Sequence, residues 1–327
     1  MKRLEKAAEW VLAQGLEVQS REALLLITQV KQAPLAQIFK KVAEKARLEA
    51  FLLELPDSHA KRPLLSHSSR SMIAASAKAI VFSPIFDAAS LSWLRRQNQI
   101  KVVFWSHLDE ESIQRYLRTD WPKLRERCRK LADILTIGRN LKIASENGQV
   151  LEMSIHHRKG ELEALPVNNE RCCASVPAGR AYIAPLVNSV EGEIHLDRLA
   201  GQRTASSQPS SIKVVEGRLR LIRGGRAANT LRQLLKSKMI TSAKDQSKTA
   251  RKDGRRIVEI GFGLNENAIF GNGTLEDEKV NGSIHLGFGR GLGTGKGLEV
   301  FARGIITKPT VTIDGMEIIG QGKLKFE

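Results

Sequence analysis

The sequence predicts an α/β N-terminal domain, built on an open and mostly parallel sheet, followed by a β-rich α+β C-terminal domain. Three observations carry this. Short apolar runs rich in β-formers alternate with helix-period segments in the first half of the chain. From about residue 167 onward, glycines and short strands dominate. The 327 residues, 42% of them apolar, are enough for two sizeable cores. The boundary is placed between residues 165 and 166, giving domains 1–165 and 166–327.

Leu4 to Val18 and Ala33 to Leu53 place apolar residues at helical spacing. The runs ALLLITQV (Ala23 to Val30), KAIVFSP (Lys78 to Pro84) and KVVFWS (Lys101 to Ser106) suit strands buried on both faces of a parallel sheet. Ser112 to Thr119 and Trp121 to Ala132 return to helix. In the second domain, Lys213 to Gly225 reads as a hairpin turning at Glu216-Gly217. Thr230 to Lys238 reads as a short helix, Gly201 to Ser211 as a polar loop, and Thr241 to Gly254 as a polar, basic loop. The last strands are expected at Ile257 to Phe262, Gly282 to Gly287, Leu298 to Gly304 and Thr310 to Ile313.

Formal net charge is +17. Lys213 to Arg256 holds 14 Lys or Arg against Glu216, Asp245 and Asp253, so one segment carries most of the excess. Such a field attracts polyanions or acidic peptides. That segment has no Phe, Tyr or Trp on which bases would stack, which weighs against nucleic acid. No apolar run is long enough to span a membrane, and the basic start is interrupted by Glu5, Glu9 and Glu17, unlike a signal peptide. The cysteines, Cys128, Cys172 and Cys173, have no metal-ligand spacing and read as reduced thiols of a cytoplasmic protein.

The glycine-rich GFGRGLGTGKG (Gly287 to Gly297) is not a phosphate loop. A P-loop ending at Gly295-Lys296 would need glycine at Arg290 and Ser or Thr at Gly297. The segment reads as a flexible turn between strands.

Four segments carry a resemblance. They are Glu259 to Gly289 (EIGFGLNENAIFGNGTLEDEKVNGSIHLGFG), ITKPTVTIDG (Ile306 to Gly315), Val176 to Asp197 (VPAGRAYIAPLVNSVEGEIHLD) and Leu131 to Glu146. Together they resemble the thermophilic metallo-aminopeptidases, the leucyl aminopeptidase-like family of aminopeptidases T and S, which implies a C-terminal domain of aminopeptidase T type. That family's two-metal site needs carboxylates and imidazoles converging on ions about 3.5–4 Å apart. The resemblance places ligands at a Glu in a PxGE segment, a Glu before a GxGxN turn, a His after a DEK segment, a Tyr beyond it and a late HxD pair. Here PxGE reads Pro177-Ala178-Gly179-Arg180, Glu259 and His285 are kept, the Tyr falls near Leu292, and HxD reads Phe301-Ala302-Arg303. Arg180, Leu292, Phe301 and Arg303 therefore mark a degenerate metal site. Two remaining ligands seldom hold a catalytic transition metal, so no cofactor is expected; a metal, if present, would be zinc or iron through Glu259 and His285. The His/His/Asp iron set of related scaffolds also lacks its second His and its Asp here. Arg180 and Arg303 would supply the positive charge a lost metal leaves wanting. His156, His157 and His195 have no spacing that recruits them.

On these grounds the expected function is a divergent aminopeptidase-like pseudoenzyme that binds or modifies a peptide. An acidic precursor peptide matured in ribosomal-peptide natural-product biosynthesis is the expected partner. Glu259 and His285 are the expected catalytic groups, and Arg180, Arg303, Glu278 and Lys279 the expected substrate-binding groups. The alternatives left open are a metalloenzyme with rearranged ligands, hydrolytic or dioxygenase-like, and a polyanion or nucleic-acid binder through residues 213–256. The resemblance also implies a homodimer; no membrane partner is expected.

Overall fold

The structure, a computed structural model, describes residues 2–30, 33–55, 66–82, 93–94, 99–105, 110–167, 173–186, 188–202, 208, 210–241, 255–290 and 299–326. They form two compact units: residues 1–125 with 163–178, and residues 126–162 with 179–327. The fold class is the one the sequence predicts: a parallel sheet with helices in the first unit and a large antiparallel sheet in the second.

The first unit holds a five-stranded, all-parallel sheet in the order Glu49–Leu55, Ala23–Gln29, Lys78–Phe82, Lys101–Trp105, Cys173–Val176. Leu24 to Ile27, Ala79 to Phe82 and Val102 to Trp105 are all buried, as continuous apolar runs in a parallel sheet require. Helix Ala33–Lys45 turns Ala36, Phe39, Val42 and Ala43 inward, and Phe39 meets Phe82 and Trp105 edge-on at 5.2 and 5.0 Å. Neither Cys128 nor Cys173 forms a disulfide among the described residues; Cys172 lies outside the described residues.

Two helical expectations need correction. The segment 33–53 is not one helix. It ends at Lys45, and Glu49–Leu55 is the edge strand of the sheet. Arg47 adopts φ +57°, and the Leu48 amide donates to the Ala43 carbonyl at 2.9 Å, a six-to-one closure of the helix end. A glycine would have signalled this stop, whereas an arginine hides it. The segment 4–18 likewise breaks into helix Lys2–Trp10 and a wider π-type turn, Val11–Gly15.

In the second unit the strands follow the order 198–199, 299–306, 284–290, 256–263, 218–223, 210–215, 191–196, 150–154, 140–144, 310–313, 316–320 and 323–324. Glu216 and Gly217, at φ +51° and +69°, close the expected hairpin, with the double positive φ of a tight two-residue turn. Asp314-Gly315 does the same between Thr310–Ile313 and Met316–Gly320. The Asp314 carboxylate also accepts the amides of Arg139 (3.0 Å) and Asn140 (2.9 Å), tying the turn to a neighbouring strand. The helix expected at 230–238 is longer, Arg226–Thr241. The basic loop, from residue 242 to 254, lies outside the described residues, as do 203–207 and 209 of the Ser-rich loop. Among the described residues no helix is long and apolar enough to cross a membrane.

Candidate active site

Strand Arg256–Gly263 is buried along its whole length. It pairs antiparallel with Ile284–Arg290 and with Arg180–Ile183, and Ile284–Arg290 pairs on with Glu299–Ile306. The register sets Gly261 opposite His285, Gly263 opposite Arg180, and Gly287 opposite both Glu259 and Arg303. Side chains two apart share a face of a strand, so Glu259, Gly261 and Gly263 lie on one side. The glycines are clearances. A Cβ on Gly261 would stand 2.0 Å from the His285 imidazole, and one on Gly287 would stand 2.9 Å from the Glu259 Cβ. The flexible turn read from Gly287 onward is corrected here: Gly287 to Arg290 are strand, held there by pairing on both sides. Leu292 lies outside the described residues.

Residues 264–283 fold back beside these strands. The Asn265 amide donates to the Lys279 carbonyl (2.9 Å), while the Asn265 side chain accepts from the Asn267 amide (2.9 Å). Asp277, fully buried, accepts the amides of Gly271 (2.7 Å) and Gly201 (2.8 Å). It thus ties two loops together. This anchoring leaves Glu278 and Lys279 pointing into protein, 1% and 0% exposed.

The five charged or titratable groups then converge. Arg180 Nη1 stands 2.8 Å from Glu278 Oε2, 3.0 Å from His285 Nε2 and 3.3 Å from Glu259 Oε1. Arg303 Nε stands 3.2 Å from Glu259 Oε1 and 3.2 Å from Glu278 Oε1. Two guanidinium groups therefore bridge the same two carboxylates. Lys279 Nζ lies 3.7 Å from Glu278 Oε2, and the Arg180 guanidinium lies over the Tyr182 ring, 4.7 Å from its centroid. Arg180 always carries its proton and donates, so Nε2 of a neutral His285 accepts and the ring proton sits on Nδ1. That Nδ1 has no hydrogen-bond partner among the described residues.

Burial pushes the Glu259 carboxyl up, but Arg303 and Arg180 outweigh it and hold it well below the usual carboxylate range. Glu278 follows the same pattern: burial raises it, and Arg303, Arg180 and Lys279 bring it below its ordinary value. Burial also lowers His285, against the pull of Glu259 and Glu278. In all three, the native state binds fewer protons than the unfolded chain. Their contribution to stability is therefore fully present at neutral pH and falls as pH drops, first below the ordinary histidine value of 6.5, then below the carboxylate value of 4.5. Asp277 acts in the opposite sense, since burial raises it. Thermal midpoints of the native chain and of His285→Gln are expected to diverge most above pH 6.5 and to approach each other towards pH 5. A constant difference across that range would contradict the neutral, buried imidazole.

The donor set does not fit a metal ion. Glu259, Glu278 and His285 face a point already held by a guanidinium nitrogen, with Arg303 on the same carboxylates. Among the described residues no three His, Cys, Asp or Glu are grouped to hold an ion. Of the residues singled out in the sequence, Arg180, Glu259, Glu278, Lys279, His285 and Arg303 are brought together. Lys279 and Glu278, expected to touch substrate, are buried members of the charge network. Phe301 is half-buried on strand Glu299–Ile306, next to its register shift. His156 and His157 stack on each other at 3.7 Å, and His195 bonds to Asn147 at 2.6 Å, so none joins the cluster. Sequence reasoning missed Gly261 and Gly287; their alternation with Glu259 and His285 was the available signal.

The model of one protein family, NicX, 2,5-dihydroxypyridine 5,6-dioxygenase, matches residues 9–288. Among solved structures, the chain is similar to the 2,5-dihydroxypyridine dioxygenase of Pseudomonas putida KT2440, with a TM-score of 0.78 and 15% identity over 98% of this chain and 96% of that one. It is also similar to wild-type AmpT from Thermus thermophilus, with a TM-score of 0.68 and 13% identity over 99% of each chain. No curated protein matches. The aminopeptidase T resemblance therefore holds for the fold and fails for the activity, because the matching family is not one of peptidases. The same match overturns the peptide-directed pseudoenzyme reading, with its peptide maturation and its rearranged aminopeptidase. The expectation that no cofactor is needed loses its support as well. These expectations came from ligand positions counted against a peptidase, whose site is not the one this fold carries here. The chain belongs to the family of the 2,5-dihydroxypyridine 5,6-dioxygenase NicX.

Proposed function

We propose that the chain is a dioxygenase-like enzyme acting on a small hydroxylated aromatic or heteroaromatic ring, with the Arg180–Glu259–Glu278–His285–Arg303 cluster as its polar centre. The observation that carries this reading is the family match across residues 9–288, supported by the likeness of nearly the whole chain to a solved dioxygenase. Dioxygenases of this family typically depend on iron, which supplies oxygen activation when bound. The cluster does not fit that ion, because Arg180 Nη1 already holds the point its donors face. Arg303 is the most open of the five, its side chain 18% exposed against 6% or less for the others. A guanidinium there binds an ionised ring hydroxyl or carboxylate in two-point geometry. By favouring the ionised hydroxyl it makes the ring electron-rich, the property that opens such rings to dioxygen. Glu259, held ionised, accepts a hydrogen bond from a ring hydroxyl or N–H and orients it.

The test is an oxygen electrode with 2,5-dihydroxypyridine and dihydroxylated aromatic acids, run with and without added Fe(II), while the ring absorbance is followed. Oxygen uptake matched to loss of ring absorbance is expected, with kcat/KM about 10–100-fold lower in Arg303→Ala for one lost charged hydrogen bond. No uptake with any of these rings under either condition overturns the reading.

A further inference from the structure

We propose that Arg180 is a built-in cation that fills a latent divalent-metal cage, so that this chain holds covalently the positive charge that a metalloprotein would take from solution. One nitrogen, Arg180 Nη1, lies 2.8, 3.0 and 3.3 Å from a carboxylate oxygen, an imidazole nitrogen and a second carboxylate oxygen. Those are the donor types of a transition-metal site. Metal–ligand bonds to such donors are about 2.0–2.2 Å, so the three donors are set back by roughly an ångström, the extra reach a hydrogen-bonding N–H needs. The cage is also dry: Arg180 is 5%, Glu259 4%, Glu278 1% and His285 1% exposed. Two carboxylates buried this deeply need compensating charge, and Arg303 completes it by bridging both from the second side. The clearances at Gly261 and Gly287 keep room for His285 and Glu259 around that point.

A tethered cation has properties that a bound ion lacks. It cannot be removed by a chelator or exchanged for another metal, and it does not change oxidation state. The inference does not rest on the dioxygenase reading, because its readout is metal content and stability, not turnover.

The protein is purified without metal, equilibrated separately with Zn(II), Co(II) or anaerobic Fe(II), desalted and analysed for metal. The native chain is expected to retain less than about 0.1 equivalent, with a thermal midpoint unmoved by EDTA, since nothing at the cage can be extracted. Arg180→Ala/Arg303→Ala, which frees both carboxylates, is expected to retain about one equivalent, with a thermal midpoint that rises with metal concentration. Adding Glu278→Gln to that pair should abolish the uptake. Arg180→Ala alone keeps Arg303 across both carboxylates and serves where the double variant does not fold; at least tenfold tighter Zn(II) binding than the native chain is expected. Two results overturn the proposal: a native chain that keeps one equivalent of metal and loses it on Glu278→Gln, or folded Arg180 variants that gain no metal. Where every variant is insoluble, a native chain that retains one equivalent of metal, removable by EDTA with a fall in thermal midpoint, overturns the proposal by itself.

Discussion

Glu278→Gln is expected to cost about 3–5 kcal/mol of stability, the range for removing one partner from a buried ion pair, and to lower the thermal midpoint by on the order of 10 °C. The change alters shape very little. What it removes is the negative charge that Arg180 Nη1 meets at 2.8 Å and Arg303 Nε at 3.2 Å. Both guanidinium groups would then share Glu259 alone, with Lys279 still 3.7 Å from position 278 and fully buried. Two guanidinium groups would face one carboxylate in a place that water barely reaches. An isosteric loss of charge at an exposed pair behaves differently. Lys142 and Glu152 stand 2.9 Å apart but are each more than half exposed, and Glu152→Gln is expected to change stability by less than about 0.5 kcal/mol. Urea unfolding of the two variants side by side tests the contrast. Equal, small effects would mean that the cluster is far better hydrated than its burial indicates.

The fold was legible because its signals are local and redundant. Three of the five parallel strands, Ala23–Gln29, Lys78–Phe82 and Lys101–Trp105, are largely apolar runs buried almost throughout, and Gly217 marks the hairpin at Glu216-Gly217; the edge strands Glu49–Leu55 and Cys173–Val176 carry no such run. The helix stop at Arg47 was not legible, because nothing in an arginine side chain announces a left-handed backbone. The membership of the cluster was also legible: Arg180, Glu259, Glu278, Lys279, His285 and Arg303 were all singled out from their motifs. Their arrangement was not. That Nη1 of Arg180 meets three donors at once depends on the register of strands that are distant in sequence. So does Gly287 facing both Glu259 and Arg303. Function was misread for a related reason. Motifs in the Glu259–Gly289 stretch report the turn and strand geometry shared by the fold, and that geometry serves a dioxygenase and AmpT alike. Sequence motifs that fix backbone geometry travel with the fold, whereas the chemistry rests on which atoms stand at one point in space.

Gly261→Ala tests that arrangement most directly. The added methyl would stand 2.0 Å from both Cε1 and Nε2 of His285, far inside van der Waals contact. The clash is with a ring fixed on a paired strand, since His285 is register partner to Gly261 and 1% exposed. No backbone atom is the obstacle, so the strand pairing can survive, and the imidazole must rotate out instead. That movement breaks the 3.0 Å contact with Arg180 and returns the ring towards an ordinary environment. A cost of about 1–3 kcal/mol is expected from overpacking, together with a rise of the His285 pKa towards 6.5 as the burial that lowers it is relieved. Gly287→Ala supplies the comparison. Its methyl meets the Glu259 Cβ at 2.9 Å and Val300 Cγ1 at 3.3 Å, and because that Cβ moves only with its strand the substitution strains the pairing without touching the imidazole, so stability should fall while the His285 titration stays where it is. Imidazole NMR across pH in both variants reads the outcome. If Gly261→Ala leaves the His285 signals and the stability unchanged, the imidazole does not lie over that glycine, and the three-donor cage around Arg180 loses one of its walls.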